Sequence, residues 1–196
     1  MRTVLRLAVS SLWLSAAAWA APCDTRAGDE LTSPDGGVSV FVWRDPARTD
    51  DGALGDVPHE ALCVSRGGAA PTVLLDGRGG SATVGPERTL VSFADFVFSP
   101  DGATLFFTTT GWVTSPAAHA VELATGKETF LFDGAIVAPV GRGQYLACHF
   151  RIDTRYPVTS PKYRGRMETW SLVTRGGKKL RDVSDAETQR LLPHKN

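Results

Sequence analysis

The side chains best suited to chemistry are basic and aromatic groups that alternate in one stretch of the last third of the chain. Guanidinium and ammonium groups hold anions through charge-assisted hydrogen bonds, and an aromatic ring beside them adds an amphipathic anchor. We therefore predict a binding surface there, with a tryptophan of a neighbouring loop as a further anchor. The alternative is a solvated loop whose charge serves solubility. The predicted binding residues are Trp112, Arg155, Tyr156, Lys162, Tyr163, Arg164 and Arg166.

Metal and cofactor chemistry finds little support in the remaining polar residues. No two of the four histidines are spaced as a ligand pair on one strand or helical turn. The acidic stretch from Asp45 to Glu60 lacks the alternating ligands of a calcium loop. The glycine clusters lack the spacing, or the following helix, of a nucleotide-binding loop. We predict no metal and no cofactor.

Catalytic signatures are missing as well, since the chain has neither a Gly-x-Ser-x-Gly elbow nor a Ser-x-x-Lys motif. Cys63 and Cys148 lie in apolar runs, where a thiol is usually inert. Catalytic triads are defined in space rather than in sequence, so one alternative stays open. It is a small secreted hydrolase whose cleft holds a histidine, such as His59 or His149, beside a serine or a carboxylate.

The start of the chain has the form of a signal peptide. Arg2 and Arg6 precede an apolar stretch, Leu7–Ala18, that is too short to span a bilayer. Ala18-Trp19-Ala20 is a small-x-small cleavage site. We predict a signal peptide over residues 1–20, and a single periplasmic domain over 21–196 that begins at Ala21 and does not span the membrane.

Export to an oxidising compartment makes the three cysteines candidates for disulfide chemistry. Three cysteines allow one bridge and one remaining thiol. Cys23 lies just before the first of the repeats described below and Cys63 lies within it, so we predict that these two are bridged. Cys148 lies in a strong β run and is predicted to be a buried, unreactive thiol.

Repeated turns indicate the scaffold that must position these groups. Ser-Pro-Asp-Gly occurs at 33–36 and again at 99–102, and a β-rich run follows it each time. Proline presets φ for such a turn, aspartate hydrogen-bonds onward to the backbone, and glycine takes the positive φ. A degraded turn at 141–143 belongs to a third copy. We predict three copies of a unit of four antiparallel strands, at about 29–77, 93–134 and 135–183.

These copies resemble the repeats of TolB-type β-propellers, in which a Ser-Pro-Asp-Gly turn joins the first two strands of each blade. The resemblance implies an all-β fold with propeller-like repeats. Propellers have four to eight blades, so three copies imply a partial propeller or a sandwich-like arrangement. A homodimer that covers the open edge is the other solution, because an exposed edge strand promotes aggregation.

In a propeller the loops between the second and third strands of each blade share one face. Here they are predicted at Arg44–Glu60, Thr110–Ala117 and Asp153–Arg166. The binding residues named above fall on this loop face, as expected of loops on a rigid scaffold. A capping box from Ser184 to Glu187 then predicts a short C-terminal helix at about 185–192.

Charge completes the functional prediction. The formal net charge is zero, but acids dominate residues 22–60 and bases dominate residues 151–181. Either the two ends balance each other, or the basic end offers a face for an acidic partner. We predict a periplasmic, non-catalytic binding module with an adaptor, inhibitor or immunity-type role. Its partner is predicted to be another envelope protein, acidic at the contact, and export argues against nucleic acid.

Overall fold

The computed structural model describes residues 23–24, 26, 28, 30–52, 55–79, 84–112, 115–152, 154–162 and 164–192. The predicted signal peptide, residues 1–20, and Tyr163 lie outside these residues. The described chain forms eleven strands, one short 3-10 helix (Pro86–Arg88) and one α-helix, α1 (Asp185–Leu191). The strands are β1 (Leu31–Thr32), β2 (Val38–Gly52), β3 (Gly55–Arg66), β4 (Thr72–Asp76), β5 (Ala94–Phe98), β6 (Thr104–Trp112), β7 (Ser115–Glu122), β8 (Glu128–Gly141), β9 (Gln144–Ile152), β10 (Arg166–Thr174) and β11 (Lys179–Val183).

The strands form two antiparallel sheets, which confirms the prediction of an all-β fold with a short C-terminal helix. The first sheet has the order β1-β2-β3-β4, and the second runs from β11 through β10, β9, β8, β7 and β6 to β5. One of the two sheets is curled into a half-barrel. The long strand β8 pairs first with β7, up to Asp133, and then with β9, from Gly134 onward. The second and third predicted copies therefore share one continuous strand.

The two Ser-Pro-Asp-Gly turns have the same hydrogen bonds. Ser33 Oγ donates to Asp35 Oδ1 (2.6 Å) and accepts from the Val38 amide (2.9 Å). Ser99 Oγ bonds in the same way to Asp101 (2.6 Å) and to the Thr104 amide (2.9 Å). Each serine thus satisfies the polar groups at the base of its hairpin, which explains why the tetrapeptide recurs.

Two apolar cores stabilise the sheets. The first lies between them and joins side chains from both, including Val40, Leu62, Leu105 and Phe107. The second consists of side chains from the seven-stranded sheet alone, around the fully buried Tyr145. Together with the side chains packed against it, the second core draws on six consecutive strands, β5 to β10.

Two of the three predicted loops are strands, and those predictions were wrong. Within Arg44–Glu60, β2 and β3 continue as a hairpin in which Asp50 pairs with Val57, interrupted by a bulge after Asp45. Within Thr110–Ala117, β6 and β7 pair as far as Trp112 and Ser115. The blade pattern of a propeller suggested loops, but the antiparallel ladder satisfies the backbone and leaves polar side chains in solvent. In the third region, β9 ends at Ile152 and β10 begins at Arg166.

The C-terminal helix begins as predicted. The Ser184 hydroxyl accepts a hydrogen bond from the Glu187 amide at 3.3 Å. The Glu187 carboxylate does not complete the predicted capping box, because it pairs with Arg181 of β11 instead (Nη1 to Oε2 2.9 Å). Leu191 and Leu192 pack on a small apolar cluster of the sheet.

The predicted disulfide is confirmed: Cys23 and Cys63 are bridged, with their Cα atoms 5.8 Å apart. Both lie in an apolar cluster with Phe41 and Trp43, on the side of the first sheet facing away from the main core. Cys148 is a free thiol and buried. Burial, reinforced by the charge of Glu168, raises its pKa to about 11. Neither of the described helices has the length and apolar character needed to cross a membrane.

Candidate active site

A histidine and a serine meet across the β9–β10 ladder. His149 pairs in register with Thr169, and Ser171 with Ala147, so the two side chains lie on the same face of adjacent strands. His149 Nε2 lies 2.6 Å from Ser171 Oγ. Such a contact between a hydroxyl and an imidazole is the basic unit of serine-based nucleophilic catalysis.

The surroundings of His149 favour the neutral imidazole. Burial lowers its pKa below the ordinary value, and the charges of Lys179 and Arg151 lower it further, against a weaker opposing effect of Asp182. A neutral ring can accept a proton at Nε2, where the Ser171 hydroxyl is placed to donate. The Phe132 ring packs against the imidazole with centroids 4.4 Å apart and covers one side of it. His149 is half-buried, whereas Ser171 is only 1% exposed.

His59, the other histidine predicted for a hydrolase, has a different environment. It is fully buried, and both ring nitrogens face carboxylates: Nδ1 lies 2.8 Å from Asp50 Oδ2 and Nε2 lies 3.1 Å from Asp76 Oδ1. No nitrogen is left to activate a hydroxyl. This histidine ties the β2–β3 hairpin to the end of β4 and has a structural role.

His119 lies in a chain of polar groups that connects a hydroxyl to a carboxylate. Its Nε2 is 3.0 Å from Thr109 Oγ1 and its Nδ1 is 2.7 Å from Glu128 Oε1. The order hydroxyl, imidazole, carboxylate is that of a catalytic triad. Here His119 is fully buried and Thr109 is 2% exposed, and Thr109 Oγ1 also donates to the Thr89 carbonyl (3.3 Å). This network of hydrogen bonds therefore links the segment after β4 to the seven-stranded sheet.

Glu128 completes this buried network. Burial alone would raise its pKa, but hydrogen bonds from His119 and Arg78, together with their charges, hold it below the ordinary value. Arg78 Nη2 lies 2.8 Å from Glu128 Oε2, and its guanidinium is half exposed. The carboxylate therefore has a stabilising partner on each side and stays ionised in the folded protein.

The predicted binding residues are only partly brought together. Arg155, Tyr156, Lys162 and Arg164 line one pocket of about 460 Å³ with Pro161. Arg166 is not part of the lining; its guanidinium lies 4.5 Å from the Phe150 ring centroid and 3.6 Å from Glu168. Trp112 is the last residue of β6, and Tyr163 lies outside the described residues.

Ser171 is the site residue that the sequence analysis missed. It lies within the third predicted copy, and nothing in its local sequence marks it as a nucleophile. The usable signal was that this copy, a unit of antiparallel strands at about 135–183, contains both His149 and Ser171. Among the described residues, no group of three or more histidine, cysteine or acidic side chains could hold a metal ion.

No family model and no curated protein matches the chain. Among solved structures, an uncomplexed acylaminoacyl peptidase from Pyrococcus horikoshii is similar at 12% identity, with a TM-score of 0.48. The match covers 81% of this chain and 24% of the peptidase. An orthorhombic crystal form of that peptidase matches at 11% identity and a TM-score of 0.49, with the same coverage. An acylaminoacyl peptidase in complex with Z-Gly-Gly-Phe-chloromethyl ketone matches at 12% identity and a TM-score of 0.48. That match covers 80% of this chain and 24% of the peptidase.

These findings correct two expectations. The prediction of a non-catalytic binding module was wrong in this comparison, because the structures that match are peptidases. Their similarity to this chain concerns the fold alone. The resemblance to TolB-type propellers holds for the propeller-like β-fold, whereas TolB-type repeats are not confirmed. The chain spans about a quarter of the length of the peptidase chains it matches, so their activity is not assigned to it.

Proposed function

We propose that this protein is a small hydrolase that transfers acyl groups to water, with Ser171 as nucleophile and His149 as general base. The observation that carries the proposal is the 2.6 Å contact between Ser171 Oγ and His149 Nε2, made by an imidazole whose pKa is lowered by burial. Of the three described histidines, His149 is the one that is not fully buried. It therefore combines a hydroxyl partner with access from solvent.

The reaction follows the usual two steps. The Ser171 oxygen attacks the carbonyl carbon of an ester or amide while its proton passes to His149 Nε2. The intermediate expels the alcohol or amine, which takes the proton from the imidazolium and leaves an acyl group on the serine. Water then repeats the sequence, releases the acid and restores the hydroxyl.

The pH dependence follows from the lowered pKa of His149. Only the neutral ring can accept the serine proton, so the rate is expected to reach its maximum by neutral pH. It should fall as the pH drops through the folded-state pKa, below the ordinary histidine value of about 6.5. A pH–rate profile of ester hydrolysis measures this directly.

Active-site labelling tests the assignment. The mature protein is incubated with a fluorophosphonate probe, and the modified peptide is identified by mass spectrometry, alongside hydrolysis of p-nitrophenyl acetate. We expect modification at Ser171, and loss of both labelling and hydrolysis in Ser171→Ala and His149→Gln. Loss of a catalytic base or nucleophile typically reduces the rate by about 10² to 10⁴-fold or more.

Two variants serve as controls. Ser39→Ala removes a partly exposed serine of the first sheet, and His119→Gln breaks the buried network, so both should keep the labelling of Ser171 in the molecules that remain folded. Circular dichroism establishes the folded fraction. Modification of another residue, or full hydrolysis by Ser171→Ala, would remove the proposal.

We also propose that the protein is exported and works in the periplasm after cleavage behind Ala20. The Cys23–Cys63 bridge supports an oxidising compartment. N-terminal sequencing of the protein from a periplasmic extract is expected to begin at Ala21. A retained Met1 would contradict both the cleavage and the compartment.

A further inference from the structure

The segment between β9 and β10 forms a pocket at the end of the strands that carry His149 and Ser171. It has a volume of about 460 Å³ and is lined by Arg155, Tyr156, Pro161, Lys162 and Arg164. A turn shapes it, with the Ser160 amide bonded to the Pro157 carbonyl at 2.8 Å and the Lys162 amide to Ser160 Oγ at 3.2 Å. Three of the five lining residues are cations, and the lining that the structure describes contains no acidic residue. Arg155 Nη2 also donates to Met167 Sδ at 3.0 Å.

Two of the cations lie near one aromatic ring. The Arg155 guanidinium lies 6.0 Å from the centroid of Tyr156, and the Lys162 ammonium lies 5.9 Å from the same centroid. Several positive charges around one pocket create a positive potential that attracts anions. Guanidinium and ammonium groups also form their strongest hydrogen bonds with oxyanions. Tyr156, 38% exposed, offers a flat apolar surface beside the charges.

We infer that this pocket binds an oxyanion, a carboxylate or a phosphate, carried by a small molecule whose apolar part rests on Tyr156. His149 precedes the last residue of β9 by three positions, which is about 10 Å along a strand. A substrate anchored by its anionic end in the pocket can therefore extend toward the His149–Ser171 pair. The choice of anionic substrates rests on the proposed function, whereas the binding of anions does not.

The inference is tested by isothermal titration calorimetry of the mature protein with inorganic phosphate and, separately, with benzoate. We expect saturable binding of at least one, weaker at high salt because ions screen the pocket. The double variant Lys162→Gln with Arg164→Gln should weaken binding by roughly tenfold or more. Which of the two probes binds more tightly distinguishes a phosphate site from a carboxylate site, and tighter benzoate binding implies a role for the Tyr156 ring.

Two controls make the outcome specific. Lys178→Gln removes one positive charge in the turn that follows β10, at the other end of that strand, and should leave binding unchanged. Ser171→Ala should also bind the anion normally, so a failure of the catalytic proposal can be told apart from a failure of this one. The inference is overturned if neither anion binds, or if the double variant, folded by circular dichroism, binds as tightly as the wild type.

Discussion

Each of the three described histidines is defined by the partners of its ring nitrogens. His59 contacts two carboxylates, His119 contacts a hydroxyl and a carboxylate, and His149 contacts a serine hydroxyl. Buried polar groups without partners are costly, so the first two networks belong to the folded core. His149 is half-buried, and under the proposed function its contact with Ser171 is available for reaction. Burial and access, rather than residue type, distinguish the proposed catalytic histidine from the two that stabilise the core.

At the scale of single residues, the first prediction concerns Glu128. Glu128→Gln removes the anion between His119 and Arg78 and should lower the free energy of unfolding at pH 7 by about 1–3 kcal/mol. The pKa of Glu128 is lowered in the folded protein, so its contribution is present above the pKa of the unfolded chain. This contribution is lost as the pH falls through the pKa that Glu128 has in the folded protein. The difference between wild type and variant should therefore shrink with acidification below about pH 4.

Urea unfolding at a series of pH values measures this difference. Glu122→Gln on the neighbouring strand β7 is the matched control, because Glu122 is exposed. It should change stability by no more than about 0.5 kcal/mol. A stability difference for Glu128→Gln that stays constant down to acid pH would contradict the assigned role.

At the scale of the strand, two Asp-Gly pairs occupy corresponding places. Asp76-Gly77 follows the pairing of β4 with β3, and Asp133-Gly134 lies where β8 leaves β7 and joins β9. A Cβ on Gly77 would lie 2.2 Å from the Glu60 carbonyl oxygen, and one on Gly134 would lie 2.1 Å from that of Cys148. Both glycines permit a close backbone approach that no other residue allows. In β8 this approach lets one strand serve two sets of neighbours.

Gly134→Ala should therefore destabilise the protein by more than about 2 kcal/mol, since it adds a clash at a backbone with φ of +148°. Thermal unfolding followed by circular dichroism measures the loss. Gly176→Ala is the control, because a Cβ there meets no atom within 4 Å. It should be neutral or slightly stabilising. Equal effects of the two substitutions would show that the contact at Gly134 does not matter.

For the whole molecule, the disulfide joins the N-terminal segment to the first sheet. Cys23 and Cys63 pack with Phe41 and Trp43, and the Arg26 guanidinium lies 5.1 Å from the Phe41 ring centroid. This segment covers the face of the first sheet that points away from the core between the sheets. Without the bridge the segment would be held mainly by this small cluster, so the bridge fixes the segment on that face.

Reduction of the bridge should lower the free energy of unfolding by roughly 2–4 kcal/mol, as expected for a separation of 40 residues. Urea unfolding with and without a phosphine reductant measures the effect. The double variant Cys23→Ser with Cys63→Ser should lose its response to the reductant, while Cys148→Ser should keep it. An unchanged midpoint on reduction of the wild type would contradict a stabilising bridge.

Local chemistry explains what could be predicted from the sequence. The Ser-Pro-Asp-Gly turns carry their own hydrogen bonds, and the Ser184 cap begins the helix from within its own segment. The β-rich runs between such signals therefore indicated an all-β fold of hairpins. The bridge between Cys23 and Cys63 followed from counting cysteines and from their positions around one repeat. Each of these inferences depends on residues close in sequence, or on very few alternatives.

Tertiary structure decided the rest, because the remaining features depend on pairing between distant residues. The pairing of β2 with β3 decides that residues 44–60 form a hairpin rather than a loop. The polar residues of this region do not indicate such pairing in the sequence. His149 and Ser171 are 22 residues apart and meet only through the register of β9 with β10. A shift of that register by one residue would place the two side chains on opposite faces. Sequence alone therefore supplied the strands and turns, whereas the folded sheet brought His149 and Ser171 together.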